Sequence, residues 1–307
     1  MVIKNTQYQV GLDVGGTKIE LAIFENEKTC IHSKRVVTPT NDYAAFLQAL
    51  ISLVNEADNI TGQKIDVGIG LPAIISPKNQ TIYSANVPAI SGQPLAQDLS
   101  ARLDRTIKIE NDGRCFALSE ASTENTAHFD AVFGVILGTG AGGGLVHQGR
   151  VYQGSNGMAG EWGHTPVSSN IIHKYTMPLI PCNCGLIGCH EKYLAGPGVL
   201  NLIKNHQYEA NSIQDWIIAY EAGDKKASAI FTQFIDTLAS ALASLQLFYD
   251  VDAFVLGGGI SNIKAIYPKI QQEMLKWLLP GIEPALVLPP VYGDSSGVRG
   301  AALLNRT

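Results

Sequence analysis

Apolar residues dominate from Tyr8 to Val14 and halt at Gly15-Gly16, after which Ile19, Leu21 and Ile23 alternate with Glu20 and Ala22. A period of two predicts a second strand, and the glycines between predict a hairpin. Val132 to Leu137, then Gly138-Thr139-Gly140-Ala141-Gly142-Gly143-Gly144, then Leu145-Val146 repeat the scheme of strand, glycine turn and strand. The chain therefore reads as two related halves. Neither glycine tract opens a helix, which separates both from the Walker-type loop and the dinucleotide fingerprint, where phosphate sits on a helix N-terminus.

Between the hairpins, Tyr43, Phe46, Leu47, Leu50, Ile51 and Val54 carry helical spacing behind a cap at Asn41 or Asp42. Ile65 to Ile69 and Ile107 to Glu110 read as short buried strands, the first ending at Gly70-Leu71-Pro72 and the second at Asn111-Asp112-Gly113, with an Ala-rich helix from Cys115. The run from Lys226 to Tyr249 is apolar on most sides, which predicts a helix deep in the second half. Ala253 to Leu256 predicts a strand ending at Gly257-Gly258-Gly259, and Gly297 to Leu304 a closing helix. No Pro/Ser-rich linker marks a boundary, and the division is placed near Ser119.

Composition fits an ordinary globular chain of two domains: 307 residues, 46% hydrophobic and 16% charged. The net charge is −5 and no Lys/Arg run exceeds two residues, so no basic stripe is available for nucleic acid or an acidic membrane. Met1 to Gln9 is polar and lacks the pattern of a signal peptide, and no uninterrupted apolar stretch reaches the length of a membrane span. A cytoplasmic location is expected. Reduced thiols follow from that location, which favours metal ligation over disulfides. Cys30 and Cys115 are expected to be inert packing residues.

The densest chemistry lies between Gly160 and Glu191. Cys182, Cys184 and Cys189 fall within eight residues among glycines, a spacing that is poor core sequence but suits a loop curled around one ion. Three thiolates and an imidazole match the closed tetrahedral shell of structural Zn²⁺. His164, His173 and His190 are all near enough to complete it. His164 is preferred because it sits on a polar, glycine-flanked turn, while His190 abuts Cys189. Glu161 and Glu191 flank these ligands, so one ion could fix two carboxylates beside a substrate.

Asp13 with Gly15-Gly16-Thr17-Lys18 combines bared backbone amides, a hydroxyl and an ammonium, a set suited to polyphosphate. An ordinary hairpin turn is the alternative, but the glycine clusters at 138–144 and 257–259 can converge with it on one nucleotide. Asp112 follows a strand and precedes a helix. It is either a helix cap or a general base within reach of a substrate hydroxyl.

Taken together, these motifs resemble the ROK family of sugar kinases and repressors. Asp13-Val14-Gly15-Gly16-Thr17-Lys18 and Leu137-Gly138-Thr139-Gly140-Ala141-Gly142-Gly143-Gly144 are similar to its two phosphate loops, Glu161-Trp162-Gly163-His164 to its E-x-G-H, and Cys182 to Glu191 to its zinc signature. The resemblance covers nearly the whole chain. It implies an α/β, actin-like (ribonuclease H-like) ATPase fold with two domains around a cleft, residues 1–118 plus 296–307 and residues 119–295, and a homodimer formed through the second. It implies phosphoryl transfer from ATP with Mg²⁺ to a sugar 6-hydroxyl, with Asp112 as the base. Asn86, Asn111, Glu161, His164 and Glu191 would hold ring hydroxyls. Gly11, Leu12, Asp13, Val14, Gly15, Gly16, Thr17 and Lys18 would hold the nucleotide, with Gly138, Thr139, Gly140, Ala141, Gly142, Gly143, Gly144 and Leu145, and with Gly257 and Gly258. His164, Cys182, Cys184 and Cys189 would bind the structural Zn²⁺.

The segments Ser84-Ala85-Asn86-Val87-Pro88-Ala89, Asp98 to Arg105 and Cys115 to Ala121 point the resemblance toward members acting on N-acetyl-D-glucosamine. Glucose, fructose and N-acetylmannosamine are the alternative acceptors. A repressor would need a helix-turn-helix module, for which twelve residues before Asp13 are too few, and a silent sugar-binding regulator would not need Asp112 and both loops. Ala73 and Arg114 depart from the family pattern, and both are expected to touch the sugar pocket.

Overall fold

Strands β1 (Tyr8–Val14) and β2 (Lys18–Glu25) form the first predicted hairpin, and β3 (Thr29–Val37) extends it. Then follow α1 (Tyr43–Thr61), β4 (Val67–Leu71), the short pair β5 (Ile74–Ile75) and β6 (Ile82–Tyr83), α2 (Leu95–Leu103), β7 (Ile107–Asn111) and α3 (Asp112–Ala121). The second hairpin is β8 (Ala131–Leu137) and β9 (Ala141–His147), followed by β10 (Arg150–Tyr152). Helices α4 (Ser169–Lys174), α5 (Glu191–Leu194), α6 (Gly196–Asn205), α7 (Ile213–Glu221) and α8 (Lys225–Tyr249) lead to β11 (Ala253–Gly257), α9 (Tyr267–Met274), β12 (Leu286–Leu288) and α10 (Ser296–Leu303). The computed structural model describes residues 7–306, so Met1 to Thr6 and Thr307 lie outside the described residues.

Two units emerge. One comprises the chain up to Thr123 with Gly149–Ala159 and the residues from Asp294 onward; the other comprises Glu124–Gln148 and Gly160–Gly293. The boundary expected at 118/119 falls inside α3, which continues to Ala121. The segment 149–159, expected in the second domain, groups with the first because Arg114 and Glu110 hold it there, as described below.

In the first unit the sheet order is β3-β2-β1-β4-β7. β1 pairs antiparallel with β2, parallel with β4, and β4 parallel with β7. In the second unit β8 pairs antiparallel with β9, parallel with β11, and β11 parallel with β12. Each unit therefore carries the same scheme, one antiparallel hairpin feeding a run of parallel strands that need helical crossovers. The repeat predicted from the glycine turns is present at the level of topology.

β2 departs from expectation. Glu20 and Ala22 are as buried as the apolar residues between them, at 8% and 1% exposure. The reason is α10, whose Val298 and Ala302 cluster with Ala22 and Phe24 on the face predicted to meet solvent. The approach is backbone to backbone. A Cβ on Gly68 would lie 1.7 Å from the Ala301 carbonyl oxygen, one on Gly11 2.1 Å from that of Val298, and one on Gly300 1.7 Å from that of Cys115. α10 is thus pressed onto β1, β4 and α3, and polar groups fix its rotation: Arg299 Nη1 donates to the Ser119 carbonyl (2.8 Å), and Ser296 Oγ bonds Glu120. Cys115 is buried as expected, whereas Cys30 is exposed on β3, a strand too polar to need it for packing.

Helix α1 begins where predicted, with Asp42 accepting from the Ala45 amide at 3.0 Å. Helix α8 is capped by Asp224, which accepts from the Ala227 amide at 2.7 Å. It is long and apolar enough to cross a membrane by length and composition, but 78% of its most apolar window is buried inside the protein, as befits a core helix. Its one fully buried carboxylate, Asp236, accepts from Tyr175 Oη and Trp277 Nε1, each at 2.9 Å, and from Lys174. A buried charge so enclosed is paired rather than free.

Replacing Gly300 by alanine forces α10 off α3. Overpacking of this kind costs about 3 kcal/mol or more when backbone must move. The expected outcome is a clear fall in the chemical-denaturation midpoint for Gly300→Ala, while Gly259→Ala, where a Cβ meets open space, leaves the midpoint nearly unchanged.

Candidate active site and metal loop

In the first unit Asp13 lies near the end of β1 opposite Glu20 of β2, an arrangement of like charges that needs compensation. Arg35 of β3 supplies it by binding Glu20, with Nη2 to Oε2 at 2.8 Å, and Ser33 Oγ donates to the other oxygen at 3.1 Å. Room for Asp13 is made by two missing side chains, since a Cβ on Gly297 would lie 2.7 Å from its Oδ2 and one on Gly70 3.4 Å from its Oδ1. The turn beyond it is closed by the Gly15 amide donating to the Lys18 carbonyl (2.8 Å) and is tied down by Thr38 Oγ1 on the Gly15 carbonyl (2.7 Å). Gly16, Thr17 and Lys18 are exposed. Gly11 and Leu12 lie in mid-strand, the first under α10 and the second in the core, so they shape the strand and leave Asp13 to Lys18 as the accessible loop.

Asn111, not Asp112, caps α3: its Oδ1 accepts from the Arg114 amide (3.2 Å) and its Nδ2 donates to the Ala73 carbonyl (3.2 Å). Asp112 is the first helical residue, with one oxygen accepting from the Gly113 amide at 2.8 Å. A helix N-terminus favours negative charge there. Asn86 is exposed on a loop whose backbone lies against Gly16; Ser84 organises that loop, its Oγ donating to the Pro72 carbonyl (2.8 Å) and accepting from the Val87 amide (3.1 Å).

Arg114 is turned away from solvent, at 1% exposure. Its Nε donates to Glu110 (2.6 Å) and its Nη1 to the carbonyls of Gly157 and Ala159, both at 3.0 Å. Gln153 donates to the other Glu110 oxygen at 2.6 Å. Its charge is therefore spent on an internal clasp between α3 and the segment 149–159. No local sign of this pairing stands in the sequence, since Glu110 lies on β7 and Arg114 on α3.

In the second unit the turn Glu161-Trp162-Gly163-His164 is laid on β9. A Cβ on Gly163 would lie 2.1 Å from the Ala141 carbonyl oxygen, Gly160 (φ +101°) abuts the Gly143 carbonyl, and Trp162 Nε1 donates to the Gly142 carbonyl at 2.6 Å. The glycine loop of the hairpin is braced from several sides. Its Gly138 amide donates to the Gly140 carbonyl (2.9 Å), the Gly196 amide to the Gly138 carbonyl (2.8 Å), and the Ala141 amide to Glu191 Oε2 (3.1 Å). Gly258 (φ +76°) sits against Leu137 and Gly138, which brings the 257–259 tract to the same loop. Thr139 is exposed at its tip; Gly143, Gly144 and Leu145 continue down the strand, where Gly143 and Gly144 are buried and Leu145 packs on the core.

The cysteine loop folds as a tight knuckle: the Cys182 amide donates to the Leu186 carbonyl (2.8 Å), and the left-handed Gly185 makes the reversal. The ligand atoms of His164, Cys182, Cys184 and Cys189 lie within 4.8 Å of one another. Cys184 and Cys189 sulfurs are 3.7 Å apart, and Cys182 Sγ is 3.7 Å from His164 Nδ1. Zn–S bonds of about 2.3 Å at tetrahedral angles require sulfurs roughly 3.8 Å apart, so the donor set fits Zn²⁺. Burial, followed by the neighbouring thiols, pushes Cys189 up to about 12, so three thiolates need a cation to coexist. His190 does not join this set. It is buried, its Nδ1 pairs with Thr165 Oγ1 at 3.1 Å, and burial pushes it down to about 4. His173 is exposed on α4. With Nδ1 toward Cys182, His164 turns Nε2 toward Glu161, 4.0 Å from its Oε2.

Comparison with known proteins agrees with this organisation. The ROK family matches over residues 9–307. The chain is 42% identical over 299 residues to N-acetyl-D-glucosamine kinases of Salmonella typhimurium and Citrobacter koseri, covering 97% of this chain and 99% of each relative. Among solved structures it resembles a ROK hexokinase from Thermus thermophilus (TM-score 0.82, 28% identity, 97% of both chains). It also resembles a ROK family glucokinase from Streptomyces griseus in complex with glucose and AMPPNP (TM-score 0.74, 26% identity, 97% of this chain and 99% of that one).

The geometry around Asp13 makes one pH-dependent property testable. Burial first, then the charges of Asp112 and Glu20, push its carboxyl up from 3.8 to about 7, against the opposing pull of Lys18 and Arg35. The folded protein thus keeps a proton that the unfolded chain gives up. The stability this contributes is complete below about pH 4 and is lost as pH rises through about 7. Protein free of metal and nucleotide is expected to lose stability across that window, with Asp13→Asn flattening the slope in denaturation series at fixed pH values. Equal slopes would remove Asp13 as the source.

Proposed function

The chain belongs to the ROK family, of actin-like ATPase fold, and on that premise we propose that it transfers a phosphoryl group from ATP to the 6-hydroxyl of N-acetyl-D-glucosamine, giving N-acetyl-D-glucosamine 6-phosphate and ADP. The observation that carries this reading is the extent of the likeness. Identity of 42% to kinases named for that sugar runs over 97% of the chain, a span that includes both glycine hairpins, Asn111-Asp112 and the metal loop.

Asp112 is the base. Its position at the start of α3 is fixed by the Asn111 cap and the Arg114 clasp, and one oxygen accepts from the Gly113 amide, which orients the carboxylate that takes the proton of the 6-hydroxyl. A sugar hydroxyl is a weak acid, so the proton moves late, and rate comes chiefly from positioning and from neutralising the charge on the transferring group. The exposed Gly16-Thr17-Lys18 turn and the Gly138–Ala141 loop take the phosphates. Asp13 and Asp112 would hold the Mg²⁺ that arrives with ATP, and the ion would supply the charge neutralisation there. Asn86, Asn111, Glu161, His164 and Glu191 hold the sugar hydroxyls, the carboxylates through charge-assisted bonds about twice as strong as neutral ones.

His164, Cys182, Cys184 and Cys189 hold a structural Zn²⁺. With four protein donors the shell would be closed, so the ion would fix the turn that carries Glu161 and the start of α5 that carries Glu191 without activating a water. The family resemblance further supports a cytoplasmic homodimer, which sedimentation equilibrium would read directly.

Asp112→Asn should retain sugar binding and lose turnover by about 10²- to 10⁴-fold. Near-normal ADP release from that variant would take Asp112 out of the mechanism. Wild-type protein assayed for ADP release against N-acetylglucosamine, N-acetylmannosamine, glucose, mannose and fructose should prefer the first; preference for an unacetylated sugar would overturn the acceptor and leave the kinase intact. Stripping the metal with a chelator should weaken sugar binding before it abolishes the fold, as read by sugar titration and circular dichroism together.

A further inference from the structure

We propose that His190 is a positioning residue for the second unit: through Thr165 it holds the turn bearing Glu161 and His164 in register with the loop bearing Cys189 and Glu191. What those four residues bind rests on the kinase and metal readings above; how they are held is a property of the fold.

His190 adjoins a metal ligand without joining the ligand set, and it is buried where an imidazole needs a polar partner. The partner follows from counting protons. Thr165 Oγ1 donates its one proton to the Trp162 carbonyl at 2.7 Å, so in the 3.1 Å contact of that oxygen with His190 Nδ1 the imidazole is the donor. A relay results, from the ring N–H through the Thr165 hydroxyl to a carbonyl inside the turn Trp162–His164. The two backbones are joined alongside it. The His190 amide donates to the Thr165 carbonyl (3.0 Å) and the Val167 amide to the Gly188 carbonyl (2.8 Å), with Pro166 and Cys189 bridged antiparallel between them. Trp162 completes the enclosure, its ring 5.9 Å from that of His190 and its Nε1 on the Gly142 carbonyl of β9.

Chain position gives this pairing its reach. His164 immediately precedes Thr165 and Cys189 immediately precedes His190, so one cross-link sets the spacing of two metal ligands. Glu161 precedes Trp162 and Glu191 follows His190, so the same link sets the two carboxylates. The segments are drawn close, with Cys189 Sγ 3.5 Å from the His164 carbonyl. The backbone ladder stops at Thr165, and only the relay carries the connection on into the turn that bears His164 and Glu161. Groups that orient metal ligands from outside the coordination shell are worth about 10- to 100-fold in metal affinity.

The test compares His190→Phe, which keeps a ring and loses the donor, with His190→Asn, which keeps an N–H near the place of Nδ1, and adds Thr165→Val and the double variant His190→Phe/Thr165→Val. Zinc affinity is read by competition with a chromogenic chelator, and KM for N-acetylglucosamine is separated from kcat by ADP release. His190→Phe should lose about tenfold in zinc affinity. Its sugar KM should rise about tenfold with kcat nearly unchanged, because Asp112 and both phosphate loops lie outside the link. His190→Asn should recover most of both losses, and Thr165→Val should add little to His190→Phe, since the two groups act through one bond. A residue that only fills space gives the opposite order, with Phe tolerated and Asn not. That order, additive effects in the double variant, or unchanged zinc affinity and KM in His190→Phe overturns the proposal. Where His190→Phe does not fold, Thr165→Val at its exposed position carries the comparison, with Thr165→Ser restoring what the valine loses. Wild type that binds no zinc would instead bring down the metal reading, and wild type that releases no ADP the kinase reading.

Discussion

Backbone laid directly against backbone is the constraint on which the rest of this protein depends. In the first unit α10 touches β1, β4 and α3 where Gly11, Gly68 and Gly300 leave no Cβ, and in the second the turn 160–164 touches β9 through Gly160 and Gly163. Contacts of this kind admit no side chain, so they fix distance to a fraction of an ångström and leave nothing to repack. The result is placement. α10 brings Gly297 beside Asp13 and Arg299 beside Ser119 on the helix that begins with Asp112, while the 160–164 turn brings Glu161 and His164 onto the strand that begins at Ala141.

Within that frame, each charged group near the loops is given a partner that also orients it. Arg35 answers Glu20 and spares Asp13 a second uncompensated neighbour; Arg114 answers Glu110 and holds segment 149–159 to α3. His164 points one nitrogen at Cys182 and the other at Glu161, which links the geometry of the metal loop to a carboxylate outside it. Asp13 is the exception. Its carboxyl stands near the like charges of Asp112 and Glu20, which outweigh the pull of Lys18 and Arg35, an electrostatic demand that Mg²⁺ with ATP would meet.

Much of this was legible in the residues because the decisive signals are local. Hairpins with glycine turns, a cap at Asn41 or Asp42, the apolar run from Lys226 and the cysteine spacing each act within a few positions of one another, so β1, β2, α1, α8 and the clustering of the cysteines were foreseen. What the chain concealed depends on distant partners. β3 is polar and exposed, and only its pairing with β2 makes it a strand. Glu20 and Ala22 looked solvent-facing because nothing near them announces α10, which arrives some 270 residues later. The bond from Ala141 to Glu191 spans fifty residues and leaves no mark in either segment.

Arg114 shows why a local reading of a site can mislead even when every motif is right. Two positions after Asp112, a guanidinium looks like part of the chemistry, and the sequence reading sent its charge toward the sugar. The structure reverses that direction: Arg114 is enclosed by Glu110 at the end of β7 and by two carbonyls of segment 149–159. A buried ion pair of this kind contributes little net stability over an apolar replacement, but removing one partner leaves a charge stranded at a cost of about 3–5 kcal/mol. Its value lies in uniqueness of placement. Segment 149–159 is held to α3 because Arg114 bonds Glu110 and the carbonyls of Gly157 and Ala159 together.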